Sequence, residues 1–179
     1  MIDDRMVELV RERIFSDPRV NVYAVLDGAS VPGLLQKLFP SRAKYACVFP
    51  GDLEPDMAEV APYLVRLDAD GDFARWVLTE GWGKHWCIFA VSSADLRTMR
   101  GHFRGLVNVY DEEGKPLIFR YYDPRVFREF LPTCTSTELQ EIFGPTAVYY
   151  AEAEDPSVLL SFCRRGEELA KQEIRVTDK

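Results

Sequence analysis

The apolar positions in the first half of the chain fall into short runs that are hydrophobic throughout, separated by stretches with a helical period. Val22 to Leu26, Tyr45 to Phe49, Tyr63 to Leu67 with Arg66 intervening, and Trp86 to Val91 are such runs. Runs of this kind suit strands covered on both faces. Around them, Met6, Val10 and Ile14 stand four residues apart, and Leu34, Leu35 and Leu38 follow the first run. Phe73, Trp76 and Val77, and then Leu96, Met99 and Phe103, repeat the pattern; each set lies on one face of a helix. The alternation predicts a single-domain α/β fold, with helices packed on the faces of a largely parallel or mixed sheet.

The second half changes character. Gly105 to Tyr110 and Lys115 to Tyr122 are joined by the polar Asp111-Glu112-Glu113-Gly114, which predicts an antiparallel hairpin. Asp123 to Phe130 and Ser136 to Phe143 read as short helices, and Thr146 to Ala151 and Val158 to Cys163 as strands. The polar tail, 164–179, is expected to end in a surface helix. No repeat, low-complexity segment or long linker divides the chain, so 1–179 is read as one domain.

Composition narrows the functional classes. In 179 residues, 47% are apolar and 12% aromatic, enough for a sizeable core. The net charge of −7 argues against a nucleic-acid binder or an anionic membrane surface, since both attractions need clustered Lys and Arg. That charge is unevenly spread. Residues 97 to 128 carry 7 basic and 4 acidic side chains, a local +3, whereas the flanking segments are both acidic. Within that third, Arg97, Arg100 and Arg104 fall within about 60° of one another on a helical wheel, a basic stripe suited to an acidic or amphipathic protein partner.

The acidic opening Met1-Ile2-Asp3-Asp4-Arg5 lacks the basic start and apolar run of an export signal, and the apolar runs are too short to span a bilayer. The expectation is a soluble, cytoplasmic protein. Cys47, Cys87, Cys134 and Cys163 form no CxxC pair and are read as free thiols, three of them in apolar strand-like runs.

Catalytic and ligand motifs are weak. His85 and Cys87, two apart on an expected strand, would hold their Cβ atoms about 7 Å apart, too far for an imidazole–thiolate contact. His102 has no Cys, His or carboxylate at i±4. Asp68-Ala69-Asp70-Gly71-Asp72 opens like a calcium loop, but Phe73 and Thr79 stand where Gly and Glu are needed, so the run is read as a turn in which Asp72 caps the next helix. Gly81-Trp82-Gly83 and Asp27-Gly28-Ala29-Ser30 lack the spacing of phosphate loops. In the latter, Gly28 is expected to take a positive φ after the first buried run and Ser30 to cap the following helix. No cofactor or metal is implied.

The richest segment is Phe119-Arg120-Tyr121-Tyr122-Asp123-Pro124-Arg125-Val126. It reads as a strand end followed by a helix start, with Asp123 as cap and Pro124 at the first helical position. One turn then gathers Arg120, Asp123 and Arg125, either as an ion-pair lock or as part of a recognition surface.

This segment, together with Tyr23-Ala24-Val25-Leu26-Asp27-Gly28-Ala29, Ala61-Pro62-Tyr63-Leu64-Val65 and Phe143-Gly144-Pro145, resembles the bacterial type VI secretion effector adaptors, or effector chaperones, a family formerly classed as a domain of unknown function. The resemblance spans about Val22 to Tyr150. It departs at Ala61-Pro62-Tyr63, where family members commonly have Gly-Pro-Trp. It implies a non-enzymatic chaperone that holds a toxic effector and helps load it onto the spike protein of the secretion machine. Asp27, Gly28, Arg120, Asp123, Pro124 and Arg125 are matched as signature positions. The basic stripe, Arg120, Arg125 and the aromatics Trp82, Tyr121 and Tyr122 are the expected partner-binding residues. The alternatives are a binding module for an acidic or amphipathic peptide outside secretion, and a small hydrolase using Asp27 or Asp123.

Overall fold

The computed structural model describes residues 4–177; the first three residues of the acidic opening and the last two of the tail lie outside that span. The elements run α1 (Asp4–Ile14), β1 (Asn21–Asp27), α2 (Leu34–Leu38), β2 (Lys44–Cys47), α3 (Pro55–Val60), β3 (Pro62–Leu67), α4 (Asp72–Gly81) and β4 (Cys87–Ser92). They continue through α5 (Leu96–Val107), β5 (Asn108–Tyr110), β6 (Pro116–Ile118), α6 (Pro124–Phe130), a 3₁₀ turn at Leu131–Thr133, α7 (Ser136–Phe143), β7 (Val148–Glu152), β8 (Val158–Arg165) and β9 (Glu168–Arg175).

Seven strands form one sheet in the order β2-β3-β1-β4-β7-β8-β9, and β5 and β6 form a separate two-stranded sheet. The α/β class and the hairpin are as expected. The strand directions differ from a largely parallel arrangement, because every pairing is antiparallel. Continuous apolar runs do not report direction, and one of them also misreports burial: β2, from the Tyr45 to Phe49 run, is an outer strand and only half-buried. Here β1, buried from Val22 to Asp27, lies between β3 and β4, with helices supplying cover that βαβ crossovers would otherwise provide.

The periodic apolar positions do what their spacing predicts. Met6, Val10 and Ile14 are the buried residues of α1, and Phe73, Ala74, Val77 and Leu78 face inward from α4. Met99, Phe103 and Val107 do so from α5, which packs on β2 and β3. The helix α7 starts at a capping box in which the Thr135 hydroxyl and the Glu138 carboxylate satisfy each other's backbone N–H groups.

Four local expectations are corrected. The tail forms β9 rather than a helix: Gly166, at φ 67°, turns the chain back, and residues 168–175 pair with β8 along their whole length. The strand expected to run to Tyr122 stops at Ile118, and α5 extends to Val107, so the hairpin is shorter than its apolar pattern. Asp72 is the first helical residue of α4 and Gly71 the cap position. Ser30 does not cap α2; its hydroxyl donates to Asp27 Oδ2 at 2.7 Å. Among the described residues no helix is long and apolar enough to cross a membrane. All four cysteines are free, but only Cys87 is buried.

Candidate functional site

Two neighbouring regions in the second half differ sharply: the signature turn, which is sealed, and the β5–β6 hairpin, which is open.

The signature turn is anchored by a residue far from it in sequence. Asp27 ends β1 and is 1% exposed. Its carboxylate accepts from the Ala29 N–H at 3.2 Å, from the Ser30 hydroxyl and from Arg120 Nη2, a partner 93 residues along the chain. The same turn holds Gly28, whose N–H donates to Ala61 O at 3.2 Å. A Cβ at Gly28 would overlap that carbonyl oxygen and crowd the backbone of Glu59 and Val60, so close backbone approach, and not the positive φ expected, requires glycine here. Arg120 therefore pairs with Asp27 rather than with Asp123, and clamps the signature turn to the end of β1.

Asp123 pairs with Arg125 instead. Its Oδ1 accepts from the Arg125 backbone N–H at 2.9 Å, as a helix cap does, and from Arg125 Nε at 3.0 Å; Oδ2 accepts from Nη2 at 2.7 Å. Burial pushes this carboxyl up, but the Arg125 hydrogen bonds and the charges of Arg125 and Arg120 outweigh it and hold its pKa below the usual aspartate value. Pro124 is buried at the first turn of α6.

The expected aromatic anchors are interior. Tyr121 and Tyr122 are each 2% exposed. Tyr121 stacks on Phe103 with 5.8 Å between centroids and donates from its hydroxyl to Phe103 O at 3.0 Å. Tyr122 packs edge-on against Tyr121, and burial pushes its pKa up to about 12. Trp82 is also buried and donates from Nε1 to Pro156 O at 2.8 Å, tying the end of α4 to the β7–β8 turn. None of the three offers its ring to a partner. A large aromatic side chain in an apolar stretch gains more by joining the core, and the sequence pattern carries no mark that separates the two fates.

The basic stripe is only partly free. Arg97 is exposed, whereas Arg100 and Arg104 are half-buried, and Arg100 Nε donates to Cys47 O at 2.9 Å on the outer strand β2. Arg100 thus helps cover a sheet edge, a structural duty that the helical wheel does not reveal.

Sequence reading also missed a buried acid. Glu152, at the end of β7, is 3% exposed; its Oε2 accepts from the Gly83 N–H and its Oε1 lies against His85 Nδ1. Burial pushes this carboxyl up against the lowering effects of Gly83 and His85. His85 sits at φ 60° before β4 rather than on the strand expected to share with Cys87. His102 is half-buried, with Nε2 donating to Ile142 O at 2.9 Å. Asp70 of the calcium-like run is turned toward Arg11, 3.1 Å away. Among the described residues no cluster of His, Cys, Asp and Glu could hold a metal ion.

The hairpin is built firmly at both ends and bare between them. At its tip Asp111 Oδ1 accepts from the backbone N–H groups of Glu113 and Lys115, and Gly114 takes φ 77°. At its base the Phe119 N–H donates to Val107 O at 2.8 Å. Val109 lies opposite Leu117 on one face, and Tyr110 opposite Pro116 on the other, where Ile118 also points. Every one of the six strand residues is exposed, Tyr110 to 69% and Ile118 to 56%. Apolar side chains on both faces of an isolated two-stranded sheet are unusual in water, where such a unit is marginally stable. The turn residues Asp111 to Gly114 mark this hairpin in the sequence, but nothing there marks it as a surface.

No curated protein and no solved structure matches the chain. Residues 22–141 match a family described as "Domain of unknown function (DUF4123)", a span that contains both the Asp27–Arg120 clamp and the hairpin. The chain belongs to that family.

Proposed function

We propose that this protein is a non-enzymatic cytoplasmic chaperone or adaptor of a type VI secretion system, which binds one toxic effector and assists its loading onto the spike protein. The observation that carries this reading is the β5–β6 hairpin, whose apolar faces and free strand edges suit coverage by a segment of another protein. The segment would cover Val109, Tyr110, Leu117 and Ile118, and acidic residues farther along it would reach back about 16 Å to Arg97, in the first turn of the helix whose last turn leads into the hairpin. The signature turn then serves as the rigid base: Asp27, Arg120, Asp123 and Arg125 hold the ends of β1, β6 and α6 in place.

Family membership and the resemblance of the signature segments support this reading. A hydrolase using Asp27 or Asp123 gains no support from the geometry, since Ala29, Ser30 and Arg120 engage the first carboxylate and Arg125 the second. The test is co-expression with a toxin encoded by a neighbouring gene. The toxin is expected to co-purify with the wild-type chain and to be lost with Leu117→Asp/Ile118→Asp, while the variant melts as the wild type does. Toxin retained in full by that variant contradicts the reading.

A further inference from the structure

The outer strand β9 has a self-complementary free edge. Among the described residues it pairs only with β8, in an unbroken register from Val158 opposite Arg175 to Arg165 opposite Glu168. Beyond it, the Val176 N–H donates to Ser157 O at 2.9 Å. Since strand hydrogen-bonding direction alternates residue by residue, the even positions of β9 face β8. The odd positions, Leu169, Lys171, Glu173 and Arg175, turn their N–H and C=O groups to the free edge. Such a row is a template for another strand.

Charge decides which strand fits. Lys171 and Glu173 lie on the same face, 3.4 Å apart, and are largely exposed. A generic apolar strand would offer neither charge a partner across the edge, beyond the pairing the two already make with each other. A second copy of this chain, related by a two-fold axis perpendicular to the sheet, would answer them. Such an axis keeps each face on its own side, so directly opposed residues must differ by an even number, and the axis must pass through a residue. On Lys171 it sets two lysines against each other. On Glu173 it opposes two glutamates and puts Lys171 against Arg175. On Gln172 it places Lys171 opposite Glu173 of the second copy, twice, with Gln172 beside its own copy and Ala170 opposite Ile174. Opposite charges directly across a ladder are favourable and like charges unfavourable, so one central register survives. Registers centred farther out pair fewer residues.

We propose that β9 pairs antiparallel with β9 of a second copy about a two-fold axis at Gln172, joining two sheets into one continuous sheet. This dimer is independent of effector binding. In this register Gln172 and its copy form a non-hydrogen-bonded pair, in which Cβ atoms approach to about 4.5–5.5 Å, near the range that a disulfide bridges.

The test uses the full chain alone. Light scattering across a concentration series should show wild-type protein rising to twice the monomer mass. Lys171→Glu, which opposes two glutamates on each side of the axis, should stay monomeric, and the exchange Lys171→Glu/Glu173→Lys should restore the dimer. Diluted until all are monomeric, the three should melt alike, because both residues are exposed; at higher concentration the two dimers should melt above Lys171→Glu. Under mild oxidation Gln172→Cys should give a disulfide-linked dimer, while wild type and Glu167→Cys, in the turn before β9, should not. Wild-type protein that stays monomeric throughout, a double exchange no better than the single reversal, or cross-linking of Glu167→Cys equal to that of Gln172→Cys would each overturn the proposal.

Discussion

The signature turn and the hairpin that precedes it are a few residues apart, similarly rich in aromatic and β-branched residues, and opposite in fate. Tyr121 and Tyr122 are sealed in the core, whereas Tyr110 and Ile118 stand in solvent. The difference lies in what each segment is tied to. Arg120 reaches Asp27 at the end of the buried strand β1, and the tyrosines that follow it pack in the interior, Tyr121 against Phe103. Among the described residues the hairpin's backbone is tied to itself and to the end of α5, so its side chains stay largely exposed. Side chains that cannot be buried internally are the ones available to a partner.

If this contrast is correct, substitutions in the turn act on folding and substitutions in the hairpin act on binding. The largest effect is expected from Tyr121→Ala, which removes a ring packed against Phe103, Phe119 and Tyr122. Emptying a buried aromatic position costs about 3–5 kcal/mol, so chemical denaturation should show most of the stability gone. Tyr121→Phe should lose only about 1 kcal/mol, for the bond to Phe103 O.

Asp27→Ala comes next. It leaves the Ala29 N–H and the Ser30 hydroxyl without their acceptor, which costs about 1–3 kcal/mol; the Arg120 share is small because that side chain is 46% exposed and screened. A melting curve unchanged by Asp27→Ala would break the clamp assigned to it.

Asp123→Ala should cost about 0.5–2 kcal/mol through loss of the cap, and its contribution carries a pH signature. A carboxyl whose folded pKa lies below the ordinary 3.8 stabilises the fold above that value, and the stabilisation is lost as pH falls through the folded pKa. His102 works in a higher window. Burial lowers its pKa from 6.5, with the Ile142 carbonyl partly opposing, so the unfolded chain takes up the proton first and stability falls as pH drops below about 6.5. His102→Gln should flatten that upper slope and leave the Asp123 region intact, which a pH series of denaturant midpoints can separate.

The smallest effect on stability belongs to the hairpin. Val109→Ser/Leu117→Ser changes exposed side chains and should shift stability by no more than about 0.5 kcal/mol, while partner binding falls the most of any variant here. A large loss of stability would mean that the hairpin packs on the body of the protein.

The sequence revealed those features that depend on local pattern. The buried runs, the i+4 apolar spacing of α1, the Asp123-Pro124 start of α6 and the hairpin turn at Asp111 to Gly114 all follow from neighbouring residues. What it hid depends on distant ones. The Asp27–Arg120 clamp joins residues 93 positions apart, and Tyr121 is buried against Phe103, 18 positions before it. The strand β9 was hidden for another reason. Glu168 to Arg175 is composed largely of good helix formers, and as an outer strand exposed on much of its surface it needs no apolar alternation; pairing with β8 overrides the local preference. Glu152 carried no signal either, since its partners Gly83 and His85 come from a different part of the chain.

Hydrogen exchange of residues 108–118, measured with and without the co-expressed toxin, tests the central claim most directly. The free hairpin, exposed along both strands, is expected to exchange rapidly, and bound toxin should slow it there more than anywhere else, while the 120–125 turn is protected in both states. Toxin that binds without slowing exchange in the hairpin, and instead protects another surface, would contradict the account.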